Sequence, residues 1–184
     1  MSEIDLPILP HLAPEFYSWV WFASESMGGM LSVVDDKGID VEVWVEDRMS
    51  FRNPDSHTMR ATVVGENAPQ SPEARAALAS GKILHDIQLH LKTEEREYSF
   101  MLKGLGMDIS GLKLPPHSGD GFQALFYERV FFMQDAQRIL KILYILFAKM
   151  RVSPQWDDII VPAMKKWLLG EDFSIDFQSL IDDL

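Results

Sequence analysis

SPEARAALASGKILHDIQLHLKTEEREYSFMLKGLGMDISGLKLP, residues 71–115, changes its hydrophobic period part-way along. Ser71 stands where an N-cap belongs, with Pro72 at the first helical position and Glu73 in the first turn. Gly81 ends that helix, because it takes the left-handed conformation at low cost. From Lys82 the period becomes two. Ile83, Ile87, Leu89 and Leu91 are expected on one face of a strand, and Tyr98, Phe100 and Leu102 on one face of the next. Thr93-Glu94-Glu95-Arg96 is polar and short enough for the hairpin loop between them. The stretch therefore reads helix, strand, strand and a third extended piece.

Working back towards the N-terminus, Ile39, Val41, Val43 and Val45 alternate with Asp40, Glu42, Trp44 and Glu46, so a strand with a solvated acidic face is expected after Gly38. Met49 to Arg52 continues as a second strand, Asn53-Pro54-Asp55-Ser56 is a turn, and residues 58–64 form a third strand. Before them, Phe16, Trp19, Val20 and Ala23 have the spacing of a buried helical stripe over residues 12–25. Tyr17, Trp21 and Phe22 widen the stripe beyond one face. Rings so placed form a core, with base stacking or partner docking as the less favoured alternative. Met27-Gly28-Gly29-Met30 breaks the pattern as a loop, and residues 1–11, punctuated by proline, read as irregular.

Towards the C-terminus the pattern is helical. Residues 122–151 read as two helices bent near Gln134, with Leu125, Phe126, Arg129, Phe132 and Met133 on one stripe. Ile139, Leu140, Leu143, Ile145, Leu146 and Phe147 cover most of the circumference, so deep burial is expected there. Ser153-Pro154 opens a further helix that Gly170 ends. Strands and helices are segregated along the chain, which favours α+β over a parallel βαβ sheet. The fold class expected is α+β: a small antiparallel sheet from residues 39–64 and 82–114, packed with a cluster of helices, the C-terminal third all-helical. Residues 1–170 read as a single domain and residues 171–184 as an acidic amphipathic tail.

The 184 residues suffice for a real core, and 47% hydrophobic with 24% charged residues is ordinary for a globular domain. The absence of cysteine excludes disulfides, thiolate zinc sites and thiol catalysis, and fits a cytoplasmic protein. No signal peptide is expected, because Met1 to Pro10 lacks a basic flank and a long apolar run. The run from Ile139 to Phe147 is far short of the ~20 residues that span a bilayer, so no membrane association is expected.

Net charge is −11: residues 1–55 contribute −8, residues 56–120 −1, residues 121–170 +3 and residues 171–184 −5. So acidic a chain binds phosphate backbones only through a local patch.

Motifs for chemistry are sparse. Gly81-Lys82 is no phosphate loop, since the order is helix then strand rather than strand, loop, helix. Among the five histidines, His85 and His90 have opposite strand parity, and Asp86 and His90 stand ~13 Å apart at ~3.3 Å per residue, so no metal site is expected. Asp40-x-Glu42 matches the first acidic motif of DEDD-type exonucleases, and His117-x-x-Asp120 offers a completion. Two-metal chemistry needs further carboxylates that have no recognisable spacing here. No nucleophile elbow is present. No catalytic residue, metal or cofactor is assigned.

The central block resembles the C-terminal part of the RdgC family of recombination-associated proteins. The resemblance rests on Ser71-Pro72-Glu73-Ala74, on Gly81-Lys82 leading into Ile83-x-x-x-Ile87-x-Leu89-x-Leu91, on Tyr98-x-Phe100-x-Leu102, and on Leu112-Lys113-Leu114-Pro115. Glu15-Phe16-Tyr17-Ser18-Trp19-Val20-Trp21-Phe22, Glu128-Arg129 and the helix bearing Trp156 resemble segments of shorter, divergent members. The resemblance implies a non-enzymatic protein that binds DNA without sequence preference, forms dimers and modulates recombination beside a recombination-protein partner. By matching position, Lys82 and Lys113 are the implied phosphate contacts, with stabilisation of the helix C-terminus by its charge as the equal alternative for Lys82. Lys92 and Lys103, expected with them near one edge of the sheet and joined by Arg129 or Arg138, complete the expected nucleic-acid-binding set. Two alternatives stand beside this reading: an acidic protein-interaction module that has lost DNA binding, and, far behind, a metal-dependent exonuclease. For the tail, completion of the core is weighed against an autoinhibitory acidic peptide and a helical anchor for a partner.

Overall fold

Helix α1 (Ala13–Ser26) is enclosed on every side: Phe16, Tyr17, Trp19, Val20, Trp21 and Phe22 are all fully buried. The computed structural model describes residues 12–35 and 37–184, so the expectation for residues 1–11 lies outside the described residues. One side of α1 lies on the sheet, where Trp21 meets Phe51. The other side meets the C-terminal helices, through Phe16 and Trp19 on Phe147 and through Trp21 and Phe22 on Trp167. The Trp21 indole N–H, which would be costly to bury unpaired, donates to the Pro69 carbonyl at 3.1 Å. The aromatic helix is core on all faces, which leaves none of these rings to stack on a ligand.

Among the described residues the sheet has six antiparallel strands, β1 (Leu31–Val34), β2 (Asp40–Asn53), β3 (Ser56–Val64), β4 (Ile83–Lys92), β5 (Glu97–Lys103) and β6 (Asp108–Lys113). Their order is β1-β2-β4-β5-β6, with β3 paired to the second half of β2. The fold is α+β, as the segregation of strands and helices implies. Two differences from the expected strands have physical causes. Residues 40–46 and 49–52 belong to one strand, β2, interrupted by an irregularity between Val45, opposite Leu89, and Met49, opposite Ile87. The two extra residues keep the parity, so Val45 and Met49 both face the core. On β4, Ser50 pairs with Asp86 but Phe51 pairs with Leu84, so His85 is a single extra residue. A one-residue slip exchanges faces, which puts Leu84 rather than Ile83 in the core. Strand β1 was not expected. Its four residues follow the glycine loop too briefly to show a period, yet Leu31 and Val33 are buried opposite Val43 and Val41.

Between β3 and β4 lies α2 (Pro72–Ala79), whose N-cap is formed as expected: the Ser71 hydroxyl accepts from the Ala74 N–H at 3.2 Å. Ser71→Ala is expected to cost about 1 kcal/mol, read as a shift of the urea midpoint at unchanged slope. An unshifted midpoint would show that the cap contributes nothing.

The C-terminal third is helical: α3 (Phe122–Val152), a π-helical turn over Trp156–Ile160, α4 (Val161–Leu169) and α5 (Phe177–Asp182). Residues 122–151 form one continuous helix without a break at Gln134, a residue that neither removes a donor nor strains the backbone. Burial along α3 is uneven. Ile139, Leu143 and Phe147 are fully buried, Ile145 is exposed, and Phe126 and Met133 from the expected stripe face solvent while Phe132 is buried. The tail packs back on the domain: Phe177 lies against Trp19 and Phe22, and Phe173 against Phe22. No helix among the described residues is long and apolar enough to cross a membrane.

Candidate nucleic-acid interface

Four of the six expected cations lie on or beside the β4–β6 half of the sheet, at its two ends. Lys82 precedes β4, and Lys103 ends β5 opposite Asp86, near the start of β4. Lys92 ends β4 and Lys113 ends β6, where Lys92 pairs with Glu97 and Lys113 with Ser99 in the adjacent ladders. Along β4, Lys82 and Lys92 stand about 30 Å apart at ~3.3 Å per residue, whereas the register places Lys103 and Lys113 only about 13 Å apart along the strand direction. Arg129 is exposed on α3, one turn before the buried Phe132.

Their electrostatic surroundings differ. Among the described residues Lys82, Lys103, Lys113 and Arg129 form no ion pair. Lys92 lies 3.6 Å from Glu42, with both side chains well exposed, an arrangement that solvent and salt weaken. Arg138 is engaged inside the protein. Its guanidinium donates to Asp35 at 2.8 Å and to Asp135 at 2.9 and 3.2 Å, and both carboxylates are buried. Of the six expected cations, Arg138 is thus one whose charge is already matched by two acids of the protein.

Asp135 joins three elements. It also accepts from the Tyr98 hydroxyl at 2.8 Å and from Arg96 at 3.1 Å, tying β5 and its hairpin to α3. Burial alone would raise its carboxyl; the Arg138, Tyr98 and Arg96 hydrogen bonds outweigh that and hold it below the usual range. Asp35 is held low in the same way. The N–H groups of Ile39 and Lys37 and the Arg138 guanidinium overcome the burial that would raise it. The Tyr98 phenol is pushed well up by burial and by the carboxylate it donates to.

The β4–β5 hairpin and the segment after β6 enclose a groove of about 470 Å³. Lys92, Arg96 and Lys113 line it with Leu114, Pro115 and Pro116, and Glu46, Glu94, Glu95 and Glu97 stand beside them. Arg96 was not in the expected set. Its place in a hairpin loop hides that it reaches α3, where it also covers the Phe131 ring at 5.0 Å from the centroid.

The outer face of the sheet carries a second polar cluster. The His90 ring stacks on Trp44 at 3.9 Å, and its Nδ1 lies 2.8 Å from Glu46. Glu46 also accepts from Gln88 and, at 2.9 Å, from Ser99. Asp86 is bound by Arg60 on the same face and by His85 at the bulge. Asp86 and His90 thus hold separate partners, as their spacing implied. Asp40 and Glu42 lie at the start of β2, whereas His117 stacks on Phe132 and faces Glu128 at 3.6 Å. Among the described residues no three His, Asp or Glu side chains converge in a way that would hold a metal ion.

Comparison with protein-family models, with curated proteins and with solved structures returned no match.

Proposed function

We propose that the protein is a non-catalytic, cytoplasmic DNA-associated protein that contacts the phosphate backbone without sequence preference and modulates recombination, as the RdgC resemblance implies. The observation that carries this reading is that four of the six expected cations, Lys82, Lys103, Lys113 and Arg129, form no ion pair among the described residues, in a chain whose net charge is −11. An acidic protein repels DNA over most of its surface, so binding must run through cations whose charge no neighbouring acid cancels. Lys82 and Lys113 can meet phosphates about eight base pairs apart at ~3.4 Å per step, with Lys103 between them.

Fluorescence anisotropy on single- and double-stranded oligonucleotides across a salt series tests the reading. Four phosphate contacts predict a log–log slope of about −3 to −4 on duplex. Lys103→Glu and Lys113→Glu should each reduce the slope by about 1 and weaken all sequences alike. Incubation with Mg²⁺ or Mn²⁺ should produce no strand cleavage. Absence of binding at ~20 mM salt would overturn the reading in favour of the acidic interaction module.

A further inference from the structure

The ladder between β2 and β3 sets two arginines directly opposite each other. It pairs Arg48 with Val64, Ser50 with Thr62 and Arg52 with Arg60. Met49 and Phe51, which alternate with them, are fully buried, so these paired side chains share the opposite face of the sheet. Like charges at directly opposed positions destabilise a ladder. Arg60, its side chain 45% exposed, uses one nitrogen to donate to Ser50 at 3.0 Å and to the buried Asp86. Its other donors, and the Arg52 guanidinium, meet no acceptor among the described residues. The Arg52 Nε is also shielded from water, a state that costs a donor its hydrogen bond. Residues 48–65 hold one acid, Asp55, which pairs with neither arginine among the described residues.

We infer that Arg52 and Arg60 form a binding site for a phosphate dianion, either free phosphate or the terminal group of a phosphomonoester. Each guanidinium is a planar fork that fits two phosphate oxygens, and two forks at opposed positions grip one group from two sides. Such a ligand supplies the missing acceptor and separates the two like charges. Asp86 does not need the whole of Arg60, because His85 Nδ1 lies 2.7 Å from it and the Gly104 N–H donates to it at 3.3 Å. Charge selects the ligand. Lys103 stands beside Asp86 on the same face, so Arg52, Arg60 and Lys103 surround a single acid. Their excess of two charges matches the about −1.5 to −2 of a phosphomonoester at pH 7 and exceeds the one charge of a carboxylate or a phosphodiester. Arg48, four residues from Arg52, is ~13 Å away and too distant to touch the same group. The inference does not rest on the DNA reading, whose expected cations include neither arginine.

Calorimetric titration and thermal unfolding of the full chain test it. The probes are inorganic phosphate, methyl phosphate and dimethyl phosphate, at about pH 7.5 and a constant ~50 mM ionic strength set with chloride. Phosphate or methyl phosphate should bind at one site at least ~10-fold more tightly than dimethyl phosphate, and the tighter of the two names the source. At ten times its dissociation constant that ligand should raise the melting temperature by about 4 °C. Arg52→Gln should weaken binding at least ~10-fold. Without phosphate this variant should melt no lower than wild type, because it removes a like-charge pair and breaks no contact. It therefore gives a reading even if Arg60→Gln, which takes a donor from Asp86, fails to fold. A phosphate effect no larger than that of chloride, equal affinity for dimethyl phosphate, or undiminished binding by Arg52→Gln would each overturn the proposal. None of these results alters the salt slope expected from Lys113 and Arg129, so the two readings fail separately.

Discussion

Arg138→Met is expected to lower stability by about 3–5 kcal/mol, because it leaves the buried Asp35 and Asp135 carboxylates without the guanidinium they share. Methionine keeps the length and apolar stem, so lost packing does not explain the change. At ~2–4 °C per kcal/mol for a chain of this size, the melting temperature should fall by roughly 10 °C. The effect should depend on pH in a defined direction. Both carboxyls are held below their ordinary values in the folded protein, so their stabilisation is fully present above the unfolded-state value near ~4. It is lost as pH falls through the folded-state values, where the native carboxylates take up protons. The gap between wild type and variant should therefore be widest at neutral pH and narrow below about pH 4. Thermal unfolding from pH 3 to pH 8 measures it. An unchanged melting temperature with weakened DNA binding would instead place Arg138 on the phosphate-contacting surface.

Phe177→Ala is expected to cost about 3–5 kcal/mol, and truncation after Gly170 to leave a chain that aggregates or melts far earlier. Phe177 is almost fully buried, with its ring centroid 6.2 Å from that of Trp19 and 5.7 Å from that of Phe22. Leu180 is buried one turn later, and the short helix is capped by Asp176, which accepts from the Ser179 N–H at 3.1 Å. Removing the segment would open two of the largest aromatic residues of α1 to water. The five acids of the tail remain on the outside of this attachment, which keeps a hydrophobic segment soluble on its outer side. Urea unfolding of Phe177→Ala and of the truncated chain, followed by tryptophan fluorescence, measures both effects. A truncated protein of unchanged stability that binds DNA more tightly would restore the autoinhibitory reading.

Much of the fold is legible along the chain because the signals are local. The Ser71 cap, the glycine that ends α2 and the alternation of Tyr98, Phe100 and Leu102 each depend on residues within a few positions of one another, and each is found in the structure. Charge arithmetic was likewise enough to say that a phosphate contact must be a small patch.

The remainder depends on contacts distant in sequence. Nothing near Ile83 indicates that an extra residue at His85 moves Leu84 into its place; that follows from pairing with Ser50 and Phe51 more than thirty residues earlier. Periodicity shows that Phe126 and Phe132 lie near one another on a helix, but not where the core ends, so one is exposed and the other buried. Formal charge counts Arg138 and Lys113 alike. Only folding brings Asp35, 103 residues away, against Arg138 and leaves Lys113 without an acid partner among the described residues. A side chain's chemistry is set by its own atoms, whereas its availability is set by whichever distant group the fold places against it. The sequence alone therefore determined the α+β class, the cap and strand periods and the set of cations, and the tertiary structure decided which of those cations and rings are already engaged inside the protein.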